Sequence, residues 1–236
     1  VQDYIAQQPQ FNRRRRVLYP ILRKIIELFS KIEVRGLEYI PDSGPTLLMG
    51  NHISFMDPPV LTSAVPHRFV ISMAKSETLD NLFNRSILRL WGNFVVNRGE
   101  VDRAALTSAI ELLNNNYLLW IAAEGTRNSQ GMQEAKSGVA YIANKANALI
   151  VPTAICGIQN WATQIKAFKR PKGLVSFGRP FRFKVPEGDR LSRPIREQMI
   201  TEAMYQLALA MPEAYVDHRG VYSDVENATT KYLEFI

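Results

Sequence analysis

The sequence predicts an α/β protein: a largely parallel, mixed sheet of about seven strands flanked by helices, in a single domain preceded by an amphipathic helical segment. Three observations carry that expectation. Short β-branched and apolar runs alternate with stretches of helical period, no Ser/Gly-rich linker divides the 236 residues, and a 46% hydrophobic content is enough for a sizeable core.

The elements follow in chain order. Residues 20–32, PILRKIIELFSKI, extend a series of apolar positions at 18, 21, 22, 25, 26, 29 and 32, which is one face of a helix. Arg23, Lys24, Glu27, Ser30 and Lys31 fall on the opposite arc, Pro20 suits a first helical turn, and RRRR at 13–16 precedes it. This pattern fits an interfacial membrane helix, and it fits equally a surface helix packed on a core. The chain is therefore divided into 1–31, a basic membrane-associating segment, and 32–236, the α/β domain. Strands are expected at IEVRG (32–36), TLLMG (46–50), RFVISMA (68–74), NFVVN (93–97), YLLWIAA (117–123), LIVPTAI (149–155) and LVSFG (174–178). Helical stretches are expected near 58–65, 79–91, 101–115, 134–147 and 193–210. Strands returning through helices run parallel, and ligands of such sheets bind beyond the carboxyl ends of the strands.

Charge and rare residues narrow the function. The formal net charge is +7, which calls for an anionic partner: nucleic acid, a phospholipid surface or a phosphorylated small molecule. The cations gather near the start and in KAFKRPKG (166–173). Composition alone does not choose among these; no recognised nucleic-acid motif accompanies the cations, and the expected partner is an anionic membrane surface rather than nucleic acid. A single cysteine, Cys156, excludes an internal disulfide framework and fits a reducing compartment. It sits in IVPTAICGI, where a small buried thiol is expected rather than a nucleophile. The three histidines are scattered and no second cysteine exists, so no metal site is expected. No run approaches the roughly twenty apolar residues that span a bilayer, so nothing in this chain is expected to cross one. The expected location is peripheral, on the cytoplasmic face of a membrane. The first residue is Val1 rather than methionine, which leaves an upstream segment open.

The polar signals fall just after the expected strands. NHISFMD follows the run ending at Gly50, AKSE the run ending near Ala74, NRGE the run ending near Asn97, and EGTRN the run 117–123. Four strand ends would thus bring His52, Asp57, Lys75, Arg98, Glu124 and Arg127 to one edge of the sheet. A carboxylate beside a histidine fixes the ring's tautomer and stabilises the imidazolium, which makes a general base. Five residues is an awkward helical separation, so a turn must close it; alternatively Asp57, before Pro58, serves only as a helix N-cap. Lys75, Arg98 and Arg127 lack aromatic stacking platforms and suit a phosphate. In EGTR the glycine admits close backbone approach, and the hydroxyl and guanidinium bind oxyanions. Ser54 lacks a G-x-S-x-G setting and reads as a turn hydroxyl.

A chance H-x4-D has odds of roughly one in six in such a chain and a chance EGTR roughly one in a thousand, so the second carries the specificity. NHISFMD, GNFVVNRG, EGTRN and IVPTAI occur in the order and spacing of the four motif blocks of the glycerolipid acyltransferase family, which includes 1-acylglycerol-3-phosphate (lysophosphatidate) acyltransferases. The chain resembles that family over about residues 33–180. The resemblance implies that His52 is the general base and Asp57 its orienting partner. It implies that Lys75 and Arg127 hold the acceptor's phosphate, that Arg98 assists, and that Glu124, Gly125 and Thr126 shape that site. Pro152 would line the acyl pocket, while Lys136 and Gly138 match the stretch after the third block without an assigned role. The chain departs from the common pattern at Asn97, often Asp, and Ala123, often Pro.

The reaction so implied moves a fatty acyl group from acyl-CoA or acyl carrier protein to the hydroxyl of a lysophospholipid, without an acyl-enzyme and with no cofactor beyond the thioester substrate. Backbone NH groups at the start of the helix after His52 are the expected oxyanion donors. The product of the favoured acceptor, 1-acyl-glycerol 3-phosphate, is phosphatidic acid. Glycerol 3-phosphate, another lysolipid, an ornithine lipid or a glycolipid are the alternative acceptors; a non-catalytic basic peripheral membrane protein and a nucleic-acid binder, the latter suggested by charge alone, are the alternative classes.

Overall fold

Each of the seven apolar runs forms a strand, and helices of the expected period separate most of them. The computed structural model describes residues 2–75, 80, 82–96, 103–185 and 190–236. In chain order they form α1 (Gln2–Phe29), β1 (Lys31–Arg35), β2 (Thr46–Gly50), α2 (Asp57–Ala64), β3 (Val70–Lys75), α3 (Leu82–Trp91), β4 (Phe94–Val96), α4 (Arg103–Asn114) and β5 (Leu118–Ala122). There follow α5 (Gly138–Lys145), β6 (Leu149–Cys156), α6 (Trp161–Lys166), β7 (Lys172–Phe177), β8 (Phe181–Phe183), α7 (Arg193–Leu209) and β9 (Leu233–Phe235). The strands β8 and β9 and the one-and-a-half-turn α6 were not expected, because elements of three to six residues are too short to show a period.

The sheet order is β1-β7-β6-β2-β5-β3-β4, with β8 on β6 and β9 on β8. From β6 through β2, β5 and β3 to β4 every neighbour is parallel, and β7 and β8 run antiparallel to β6. The α/β class with a mixed, largely parallel sheet is therefore the observed one. Alternation along the central strands sorts their side chains between two layers. Leu47, Met49, Leu119 and Ile121 face the side covered by Leu112 of α4, Ala140 of α5 and Met204 of α7. Leu48, Leu118, Trp120 and Val151 face the side covered by Ile26 of α1 and Leu61 of α2.

Pro152 lies inside β6, a central strand, where proline is normally excluded because it cannot donate to a ladder. Its carbonyl accepts from Gly178 on the β7–β8 side, and a residue's nitrogen points to the same side as its carbonyl. On that side β8 pairs at Ile150 and β7 only from Thr153, so the missing donor falls at the change of partner.

The first helix departs from expectation. It starts at Gln2 rather than near Pro20, so Pro9 and Pro20 both lie inside it, and the anticipated boundary at 31/32 falls within β1. Its apolar face is split. Leu22 and Ile26 pack on the core, whereas Val17, Ile21, Ile25, Leu28 and Phe29 are exposed. The RRRR run is not uniformly solvated either. Arg15 is fully buried, with Nε donating to Trp91 O at 2.7 Å and Nη2 to Gly92 O at 3.1 Å. Its Nη1 donates to Gln8 Oε1 and Asn12 Oδ1, and burial pushes its guanidinium down to about 10. A cation read from sequence as part of a charged surface instead ties α1 to the end of α3.

Candidate active site

The site begins where β2 ends. A Cβ on Gly50 would lie 2.7 Å from Trp120 Nε1 and 2.8 Å from Thr153 O, so the indole can close over the strand end only above a glycine. Asn51 then replaces a ladder step with its side chain: Nδ2 donates to Ile155 O and Oδ1 accepts from Ile155 N, both at 2.8 Å. With the chain pinned to β6, residues 52–56 turn sharply into α2.

That turn closes the His52–Asp57 separation. Asp57 Oδ2 accepts from Ile53 N at 2.7 Å and Ser54 N at 3.0 Å, and lies 2.6 Å from His52 Nδ1. Two backbone donors hold the carboxylate oxygen toward the ring, which assigns the proton to Nδ1 and leaves Nε2 able to accept one. Asp57 is wholly buried, and the His52 side chain is 16% exposed. The capping role does not apply. Asp57 is the first residue of α2, and Pro58 and Pro59 after it have no NH to cap. The same prolines remove the helix-start donors expected for an oxyanion. Ile53 and Ser54 give their NH groups to Asp57, and Met56 N donates to Ser54 Oγ at 3.3 Å. Among the described residues, Phe55 supplies the uncommitted NH of this turn. The Trp120 ring meets the His52 ring edge to face, with centroids 5.8 Å apart, and restricts how the imidazole can turn.

The EGTR stretch is built against this turn. Ala123 N donates to Gly50 O at 3.1 Å, a bond that a proline at this position could not make. Asn128 N donates to His52 O at 2.7 Å. Between them Glu124 turns inward, 4% exposed, and accepts from Gln133 N at 2.9 Å. Burial pushes its carboxyl up to about 7, against the pull of the Gln133 and His52 backbone NH groups. Glu124 thus shapes the loop from within. Gly125 has φ of +69°, a conformation open to glycine, and the Lys136 side chain runs over it. Thr126 and Arg127 are exposed at the loop's outer side.

The other expected residues divide. Lys75 ends β3, and Arg98 lies outside the described residues, as does Asn97. Because β2, β5, β3 and β4 are adjacent and parallel, Gly50, Ala122, Lys75 and Val96 all end at one edge. Pro152 is buried within the sheet, level with Met49 and one residue short of the Gly50 level. Burial pushes the Cys156 thiol up to about 12, so it is chemically quiet. Asn51, Trp120 and Gln133 shape the site without a signal of their own in the sequence. Lys136 had a motif position but no role, and its place over Gly125 supplies a cation beside Arg127's loop.

With that geometry in view, the comparisons bear on the same stretch. The acyltransferase family model matches residues 31–156, from β1 through β6. The 1-acyl-sn-glycerol-3-phosphate acyltransferase of Borreliella burgdorferi is 34% identical over 134 residues, 56% of this chain and 53% of that protein. The human 1-acyl-sn-glycerol-3-phosphate acyltransferase beta is 30% identical over 142 residues, 58% of this chain and 51% of that protein. The Bacillus subtilis 1-acyl-sn-glycerol-3-phosphate acyltransferase is 26% identical over 187 residues, 78% of this chain and 90% of that protein. This chain thus spans about half the length of the first two relatives. The crystal structure of the 1-acyl-sn-glycerophosphate (LPA) acyltransferase PlsC from Thermotoga maritima superposes with a TM-score of 0.59 at 22% identity, over 80% of this chain and 77% of that one, a likeness of fold. Since the family match covers more than half of the residues and runs through both the His52 turn and the EGTR loop, the chain belongs to the acyltransferase family.

Proposed function

We propose that this protein transfers a fatty acyl group from an acyl thioester, acyl-CoA or acyl carrier protein, to the free hydroxyl of 1-acyl-glycerol 3-phosphate, giving phosphatidic acid. The observation that carries the reading is the 2.6 Å His52 Nδ1–Asp57 Oδ2 contact at the carboxyl edge of the parallel strands. His52 Nε2 takes the acceptor hydroxyl's proton as its oxygen bonds to the thioester carbonyl carbon. The tetrahedral intermediate then expels the thiolate, which receives that proton, and no acyl-enzyme forms. The Phe55 NH is the turn's available donor for the oxyanion. Lys75, Arg98 and Arg127 hold the acceptor's phosphate, with Lys136 beside them, and positioning supplies a large share of the rate. Pro152, with its neighbours in β6, backs the acyl pocket.

The lysolipid resides in a bilayer, and the exposed apolar stripe of α1 is the surface that meets it. No helix among the described residues is long and apolar enough to cross a membrane. The test is release of free CoA thiol from a long-chain acyl-CoA with and without lysophosphatidic acid, comparing the wild type with His52→Ala. Acceptor-dependent release that vanishes in the variant, with phosphatidic acid as product, supports the reading. Release equal in both proteins overturns the base assignment.

A further inference from the structure

The basic stretch 166–173 has no part in the reaction above, yet its geometry is specific. It forms the turn from α6 into β7. Phe168 N donates to Ile165 O and Lys169 N to Gln164 O, both at 2.9 Å, the paired bonds of a Schellman helix end. The left-handed position of that motif is normally glycine, but here it is Phe168, at φ of +56° and 100% exposed. A ring is thus held out in water in a backbone conformation that disfavours it, with no contact among the described residues to justify either.

Its surroundings name the occupant. Lys166, Lys169, Arg170 and Lys172, all within four residues of Phe168, are exposed, and no Asp or Glu occurs in the sequence from Ala135 to Pro186. An exposed apolar tip in a turn this rich in exposed cations matches a bilayer with anionic headgroups. The turn is also fastened to α1: Arg170 Nη2 donates to Glu27 O and, at 3.0 Å, to Ser30 O, beside exposed Leu28 and Phe29. At its other end α6 begins with Trp161, which meets Phe55 of the catalytic turn edge to face at 6.2 Å. Seven residues of helix and cap span roughly 10 Å, so the tip lies about one short helix from the His52 turn.

We propose that the α6–β7 turn is a second lipid contact, in which Phe168 inserts into an anionic bilayer and, with the α1 stripe, sets the height of the His52 turn above the headgroups. This rests on the reading of α1 as lipid-facing. The test uses the full chain with a single environment-sensitive label on Phe168→Cys, on Ile21→Cys in the α1 stripe, or on Thr107→Cys on α4; buried Cys156 does not compete. Labels at 168 and 21 are expected to shift to the blue with phosphatidylcholine vesicles containing phosphatidylglycerol, more weakly with phosphatidylcholine alone, and the label at 107 not at all. Phe168→Ala is expected to weaken vesicle binding about tenfold while turnover of a dispersed short-chain lysophosphatidate is unchanged. A shift at 21 without one at 168 overturns this proposal and leaves the α1 reading intact; no shift at either overturns both. A shift at 168 produced by acyl carrier protein and not by vesicles assigns the turn to an acidic protein and overturns the lipid contact.

Discussion

The backbone NH of Asn128 donates to the carbonyl oxygen of His52 across 2.7 Å, so the loop bearing the exposed cation Arg127 is hung from the residue proposed as the base. Motion of one therefore moves the other, and a phosphate held by Arg127, as proposed, would be measured out from His52 itself. The remaining bond of the pair, Ala123 N to Gly50 O, anchors both to the same strand end.

Removing His52, the proposed base, or its partner Asp57 is the most direct test. His52→Ala and Asp57→Asn are each expected to lower turnover by about a hundredfold or more, with circular dichroism and melting temperature near the wild type for the first. Near-normal thiol release from a contaminant-free His52→Ala preparation would refute the assignment. Asp57→Asn can still present an amide oxygen to the two backbone NH groups and to His52 Nδ1, so its loss of activity should reflect the missing negative charge beside the imidazolium rather than a collapsed turn.

Arg127 bears no structural hydrogen bond among those described and is exposed, so Arg127→Ala should leave stability within about 0.5 kcal/mol and raise the acceptor's KM far more than the thioester's. Steady-state kinetics with each substrate varied in turn separates the two. Equal effects on both KM values would remove the phosphate-holding role.

Glu124 links the site to pH. Its carboxyl is raised to about 7 in the folded state from an ordinary value near 4.5, so the folded protein binds a proton that the unfolded chain has released. Stability therefore falls as pH rises between those values and is level above them, by an amount on the order of 1–3 kcal/mol. Glu124→Gln, whose amide oxygen still accepts from Gln133 N, should flatten that slope. Denaturant titrations at pH 5 and pH 8 measure it, and a slope unchanged in the variant would assign the pH dependence to other groups.

Arg15 offers a test far from the chemistry. Arg15→Ala strips donors from the Trp91 and Gly92 carbonyls, Gln8 and Asn12 inside the protein, and is expected to cost about 3 kcal/mol in urea unfolding. Arg14→Ala, one residue away and exposed, should cost almost nothing. Similar losses for both would mean that the buried ties carry little energy.

Because α1 supplies Ile26 to the core and Ser30, just after it, accepts from Arg170, removing residues 1–31 would expose apolar surface as well as remove the proposed lipid contact. Membrane binding is better probed by Ile21→Gln with Leu28→Gln on the exposed stripe. Sedimentation with anionic vesicles should fall several-fold while the melting temperature holds; unchanged sedimentation would deny the stripe its role.

Much of this architecture was readable residue by residue. TLLMG and YLLWIAA are strands because uninterrupted apolar runs fit only a sheet covered on both faces, and the H-x4-D and EGTR stretches follow them as strand-end loops must. What escaped had no period or no partner visible in one dimension. Phe181–Phe183 and Leu233–Phe235 are three residues each and exist only by pairing with one another and with β6. Asn51 is an ordinary polar residue until Ile155 is opposite it, and Arg15 is one of four identical arginines until α3 presents its terminal carbonyls. The apolar positions of 18–32 were seen correctly, but a helical wheel does not reveal that Leu22 and Ile26 pack on the core while Ile21, Ile25 and Phe29 beside them stay exposed.

The edge strand β1 has one partner among the described strands, β7, and Lys31 pairs with Lys172. During synthesis its place in the sheet is therefore created only after roughly 140 further residues have emerged, on the order of ten seconds of translation. Until then the basic helix ahead of β1 leads into a strand that has no neighbour to pair with.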